Sequence, residues 1–209
     1  MKSRQFYILI LLAGYLLLSW LNNAFILTEE VFYASLGEQI TFEKINSIFL
    51  MKKDLEWLSY LFIPISLVLK LLTISIVLYS GILLSGLKIR FSRILQLVIK
   101  AEFVFLLMGL MKFLWVYLHH SEISFTSIAF FQPLSLINFF SPNDQLTYLV
   151  YPLQIINLFE LAYCFLLALL LRALLSVSFR KSIDLVLNTY GVGLLVWVVF
   201  VVFISLNYS

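Results

Sequence analysis

The chain has 209 residues, of which 63% are hydrophobic and only 12% charged, with a net charge of +3 and a mean hydropathy of +1.04. Soluble domains run at about 45–50% apolar and about 25% charged. Long apolar runs recur here from end to end, which leaves no room for a sizeable soluble domain. So small a net charge does not suggest a nucleic-acid partner, and the single Cys164 excludes an intrachain disulfide and a cysteine-based metal cage.

The chain opens on a short basic stretch with Lys2 and Arg4, followed by an apolar run over residues 6–27. That run is longer than the 7–15 apolar residues usual in a signal peptide and lacks a small-residue cleavage site, so it reads as a retained first span. Residues 28–56 are the most charged segment, with six acidic residues and three lysines. Thr28 before Glu29-Glu30 and Thr41 before Phe42-Glu43 both read as helix starts, since carboxylates favour the positive end of the helix dipole. Phe42, Ile45, Ile48 and Phe49 then share one helical face, as in a short amphipathic helix at an interface or capping a bundle.

Residues 57–84 form the second expected span, which contains Pro64 and Lys70. In LKIRFSRILQLVIK, residues 87–100, the basic Lys88, Arg90, Arg93 and Lys100 alternate with Ile89, Phe91, Ile94, Leu95 and Leu97. This pattern predicts an amphipathic segment lying along the cytoplasmic surface. Its four cations are candidate contacts for anionic lipid headgroups, worth about 1 kcal/mol each near the surface. The third span is expected at residues 101–118, with Glu102 at its inner end and Lys112 within. His119, His120 and Glu122 follow, but adjacent histidines do not share a helix face and no metal site is assigned.

Residues 121–153 contain no lysine or arginine but do contain Pro133, Pro142 and Pro152. They read as a partly membrane-embedded loop or short half-helix. Residues 154–175 are the fourth span, with Glu160 inside one end and Arg172 near the other. A basic loop with Arg180 and Lys181 leads to the fifth, at residues 188–206. Basic loops favour the cytoplasm. The lysine and arginine distribution therefore predicts five spans, with the amino end in the cytoplasm and the carboxyl end outside. The fold expected is all-α: a single polytopic integral membrane domain over residues 1–209, with short amphipathic interfacial helices.

Charges inside spans are costly unless paired, protonated or facing a polar cavity. On this topology Lys112 and Glu160 both fall in the outer half of the bilayer and Lys70 nearer its middle. Lys70, Lys112 and Glu160 are therefore a candidate intramembrane polar cluster, with an expected Lys112–Glu160 ion pair. Such a cluster serves either as an ion or substrate path or as a structural pair that fixes helix register. Arg172 is expected to snorkel to the cytoplasmic surface. The sequence carries no HExxH, P-loop, GxSxG or paired-aspartate protease motif, so neither an enzyme nor a cofactor is expected.

From Lys88 onward, FSRILQLVIKAEFVFLLMG, FQPLSLINFF and NLFELAYCFLLALLLRALLSVSFRKSIDLVL resemble the Yip family, five-span proteins named for interacting with Ypt/Rab GTPases, with many bacterial relatives. SWLNNAF and GLLVWVVFVVF are similar to uncharacterised membrane proteins of Bacteroidetes, some of which carry permease-like labels. The resemblance implies a helical bundle in a bacterial inner membrane. Its implied role is membrane organisation or trafficking, through lipids and membrane-protein partners. A small transporter or permease subunit using Lys70, Lys112 and Glu160 is the alternative. Nothing in the pattern sets an oligomeric state.

Overall fold

Backbone polar groups in hydrocarbon must be satisfied within the chain, so apolar runs of this length become helices. The computed structural model is all-α accordingly, and it describes residues 2–37, 40–119, 124–141 and 147–208. In chain order come α1 (Lys2–Phe25), α2 (Glu29–Leu36), α3 (Phe42–Asp54) and α4 (Glu56–Leu84). Then follow α5 (Phe91–Ala101), α6 (Phe103–Leu118), α7 (Phe125–Phe130), a 3-10 turn at Leu136–Phe139 and α8 (Thr147–Ile155). The chain ends with α9 (Leu158–Leu175), α10 (Phe179–Val186), a π-helical turn at Leu187–Gly191 and α11 (Val192–Tyr208). Among the described residues, five helical stretches are long and apolar enough to cross a membrane: Gln5–Phe25, Glu56–Leu84, Phe91–Leu118, Leu158–Leu175 and Phe179–Asn207.

Five is the number expected, but the third and fifth begin well before the sequence reading placed them. The third stretch begins at Phe91, ten residues before the expected start at Ala101, because α5 runs into α6 through a helical Glu102. From Phe91 on, the segment predicted to lie along the membrane surface packs against the bundle and continues into α6. It is amphipathic, but its apolar face is covered by protein. Ile94, Val98, Ile99 and Ala101 are at most 1% exposed, and α5 packs on α4 and α9. The last stretch likewise begins early. Ser176 takes a left-handed conformation and ends α9. Ser178 then caps α10 by accepting a hydrogen bond from the Lys181 amide, 3.3 Å. The expected loop at residues 176–187 is thus only a three-residue turn.

The remaining segments cap the bundle. Thr28 and Thr41 stand at the N-cap positions of α2 and α3 in extended conformation, although neither side chain makes the capping hydrogen bond. Only Ile45 of the expected apolar face on α3 is buried. The ring of Phe32 meets those of Phe49 and Phe125, and Tyr33 stacks on Phe42. The Phe125 amide donates to Ser35 Oγ across α2 and α7, 3.0 Å. Lys52 Nζ donates to the Leu27 carbonyl, 3.4 Å. Burial there lowers the Lys52 ammonium from its ordinary value, against the raising influence of Glu56. The expected loop or half-helix at residues 121–153 is broken, in its described residues, into the short α7, the 3-10 turn and α8. The chain is pinned to itself where the Leu136 amide donates to the Ile156 carbonyl and the Leu158 amide to the Leu134 carbonyl, 3.0 and 3.1 Å.

One main core joins α1, α4, α5, α6, α9 and α10, centred on Leu78, Ile82, Val98, Tyr163, Leu167 and Val186. Close approach is tightest where α4 crosses the π-helical turn. A Cβ on Gly81 would lie 1.8 Å from Thr189 Cγ2, so no larger residue fits without moving one of them.

Candidate functional site

Polar side chains gather inside this apolar core at two joints. The first is Glu102, between α5 and α6, whose side chain is only 1% exposed. Lys70 Nζ of α4 reaches Glu102 Oε1 at 2.6 Å, the one ion pair among the described residues. The Tyr15 hydroxyl of α1 donates to the same oxygen, 3.0 Å. Lys70 Nζ also sits 3.8 Å from the Phe105 ring centroid, a cation–π contact. One carboxylate oxygen therefore ties together three helices. The other, Glu102 Oε2, is buried without a hydrogen-bond partner among the described residues, and so is the hydroxyl of Tyr163.

The second joint is Glu160, in the first turn of α9. The Asn157 side chain caps that turn by accepting from the Glu160 amide, 2.8 Å. The Glu160 carboxylate is buried and accepts a short hydrogen bond from the Tyr190 hydroxyl, which the π-helical turn delivers. Tyr163 stands between the joints. Its ring packs on Phe105 and Tyr190, with centroids at 4.7 and 5.2 Å, and it lies within electrostatic reach of both carboxylates.

The expected Lys112–Glu160 ion pair is not formed. Lys112 lies half-buried on α6 with no ion pair or hydrogen bond among the described residues. Helix register is the reason. The Phe105–Tyr163 contact between these antiparallel helices sets Glu160 near the level of Met108. That is about one turn, roughly 6 Å, short of Lys112. The sequence reading placed the helix start at Gln154, whereas α9 begins at Leu158, below the segment that occupies residues 131–157. Of the expected cluster, Lys70 and Glu160 are within electrostatic reach of each other, and Lys112 is apart. Glu102 and the tyrosines were missed. Extending the buried face Ile94, Val98, Ala101 by one residue puts Glu102 on it, a signal hidden once that stretch was read as a surface helix.

The four expected headgroup cations separate as well. Lys88, Arg90 and Arg93 line one open cleft of about 570 Å³, with Leu174 and Leu175 from the end of α9 on its far wall. Lys100 lies elsewhere, 5.5 Å from the Tyr7 ring centroid. Arg172 is exposed on the last turn of α9. His119 stacks on Trp115, while His120 and Glu122 lie outside the described residues.

No family model, curated protein or solved structure matches the chain. Its chemistry is therefore read from geometry alone. Two further clefts are apolar: one of about 110 Å³ between α1, α4 and α5, and one of about 610 Å³ between α6 and the 131–158 segment. None of the three clefts is lined by Glu102 or Glu160. The buried carboxylates hold helices to one another, and of the three clefts the one lined by charge is the basic one.

Proposed function

We propose that this chain is a non-enzymatic, Yip-like integral membrane protein that acts through lipid and partner-protein contacts. It sits in a bacterial inner membrane with its amino terminus and basic turns in the cytoplasm. The observation that carries this reading is that both core carboxylates are engaged by side chains of the same bundle, Lys70 and Tyr15 on Glu102 and Tyr190 on Glu160. A solute path would instead need a wet route to them, and no described cleft supplies one. The permease reading keeps one supporting observation, the buried unpartnered atoms Glu102 Oε2 and Tyr163 Oη beside a Lys70 side chain that is 41% exposed.

Cys164 tests the choice, because it lies one helical turn from Glu160 and is the only thiol in the chain. In proteoliposomes, a membrane-impermeant thiol reagent should leave Cys164 unmodified from either side, and the same reagent should modify it fully after denaturation. Modification from one side in the folded state would establish a hydrated route to Glu160 and replace the contact reading with the permease one.

A further inference from the structure

The basic cleft carries an inference that deepens the proposed contact role and rests on it. Lys88, Arg90 and Arg93 face this cleft, yet none of them makes an ion pair or a side-chain hydrogen bond among the described residues. Three like charges held near one another repel unless an anion joins them. The backbone adds to the demand. Helix α5 begins at Phe91 with Arg90 at its N-cap, and no side chain caps its first amides. The Arg93 amide donates to the Arg90 carbonyl, 2.9 Å, which leaves the uncapped Phe91 and Ser92 amides and the positive end of the helix to favour an anion at that place. The other lining is apolar: Leu87 and Ile89 on one side, Leu174 and Leu175 on the other.

Charge and grease are therefore juxtaposed at the end of two helices long enough to span a membrane, where the headgroup layer begins. We propose that the cleft is a binding site for one anionic phospholipid, its phosphate held by Lys88, Arg90 and Arg93 and the start of an acyl chain lying on Leu174 and Leu175. A free phosphate would use the cations but leave the leucine wall idle. A zwitterionic lipid would use the wall but bring its own cation to a site that already has three. The anionic lipid uses both.

The purified full chain in mild detergent provides the test, with phosphatidylglycerol, phosphatidylcholine and inorganic phosphate as probes. Bound lipid is counted by native mass spectrometry, and thermal stability is followed in parallel. Phosphatidylglycerol should be retained at one molecule per chain and raise the melting temperature, while the other two probes do neither. Removing a cation should weaken retention roughly fivefold, and Arg90→Gln with Arg93→Gln together ~30-fold. Lys88→Gln gives the same reading should the double variant fold poorly. Lys100→Gln, outside the cleft, should leave retention unchanged. Equal retention of phosphatidylcholine, equal stabilisation by inorganic phosphate, or undiminished binding in the cleft variants would each overturn the assignment. These outcomes are independent of Cys164 modification, so failure of the lipid site and failure of the contact role are told apart.

Discussion

Two hairpins of this bundle have the same plan and different chemistry at the joint. In the first, α4 ends at Leu83-Leu84-Ser85, a turn containing the left-handed Gly86 follows, and α5 leads through Glu102 into α6. In the second, α9 ends at Leu174-Leu175-Ser176, the left-handed Ser176 makes the turn, and α10 leads through the π-helical turn into α11. Aligning Phe91 with Phe179 brings Leu97-Val98 onto Leu185-Val186, Ile94 onto Ser182 and Glu102 onto Tyr190, and apart from the two phenylalanines each of these residues is buried. The contacts cross over too, since α5 packs on α9 while α10 and the π-helical turn pack on α4. At matching joints the first hairpin places a carboxylate and the second a phenol. Each reaches back to its own preceding helix, Glu102 to Lys70 and Tyr190 to Glu160. One latch is an ion pair and the other a hydrogen bond, and that difference sets how costly each is to break.

The ionic latch should break most expensively. Lys70→Met leaves Glu102 buried with no counter-charge, and buried pairs broken from one side lose about 3–5 kcal/mol. The lower end applies here, because the Lys70 side chain is 41% exposed. Thermal unfolding in detergent should show that loss, and adding Glu102→Gln to Lys70→Met should restore most of it. A double variant no more stable than Lys70→Met alone would mean that Glu102 is already compensated by another group.

The phenolic latch should cost less. Tyr190→Phe removes the donor from Glu160 and should lower stability by about 1.5–3 kcal/mol, the usual range for a hydrogen bond to a charged group. Glu160→Gln keeps an acceptor for the Tyr190 hydroxyl and should lie closer to the native protein. If Tyr190→Phe instead matched Lys70→Met, the two joints would be energetically alike and the chemical contrast between them would fall.

How far these latches could be read from sequence follows from the same contrast. The spans were legible because a run such as GLLVWVVFVVF has one outcome in hydrocarbon. Lys70 and Glu160 were legible as residues, since a charge within an apolar run stands out. Their partners were not. Glu102 stood at the edge of a basic stretch whose charge suggested a surface helix, and whether an amphipathic face meets lipid or protein depends on neighbours that spacing does not name. Tyr190 gave no signal, because a tyrosine in an apolar helix is common and the π-helical turn that aims it has no pattern of its own. Lys112 misled for a related reason: depth counted along one helix ignores the register set by a contact such as Phe105 with Tyr163.

The smallest expected effect lies between the two joints, at Tyr163, and its sign is the sharpest discriminator. Its hydroxyl is buried and has no hydrogen-bond partner among the described residues, and Glu102 Oε2 is in the same condition. A buried polar group without a partner contributes a desolvation cost and no compensating bond. Tyr163→Phe removes that group and keeps the ring contacts with Phe105 and Tyr190. Stability should therefore stay level or rise, by up to about 1 kcal/mol, when the variant and the native chain are unfolded side by side in detergent. A fall of about 1 kcal/mol or more would have the opposite meaning. The hydroxyl would then have a partner in solution, and an ordered water joining Tyr163 to Glu102 is a group that two buried, unpaired oxygens within electrostatic reach can share. The joints would no longer be two separate latches but one continuous polar network, and breaking either should then weaken the other. The double variant of Tyr190→Phe with Lys70→Met reads this directly, since independent joints give additive losses and a shared network does not.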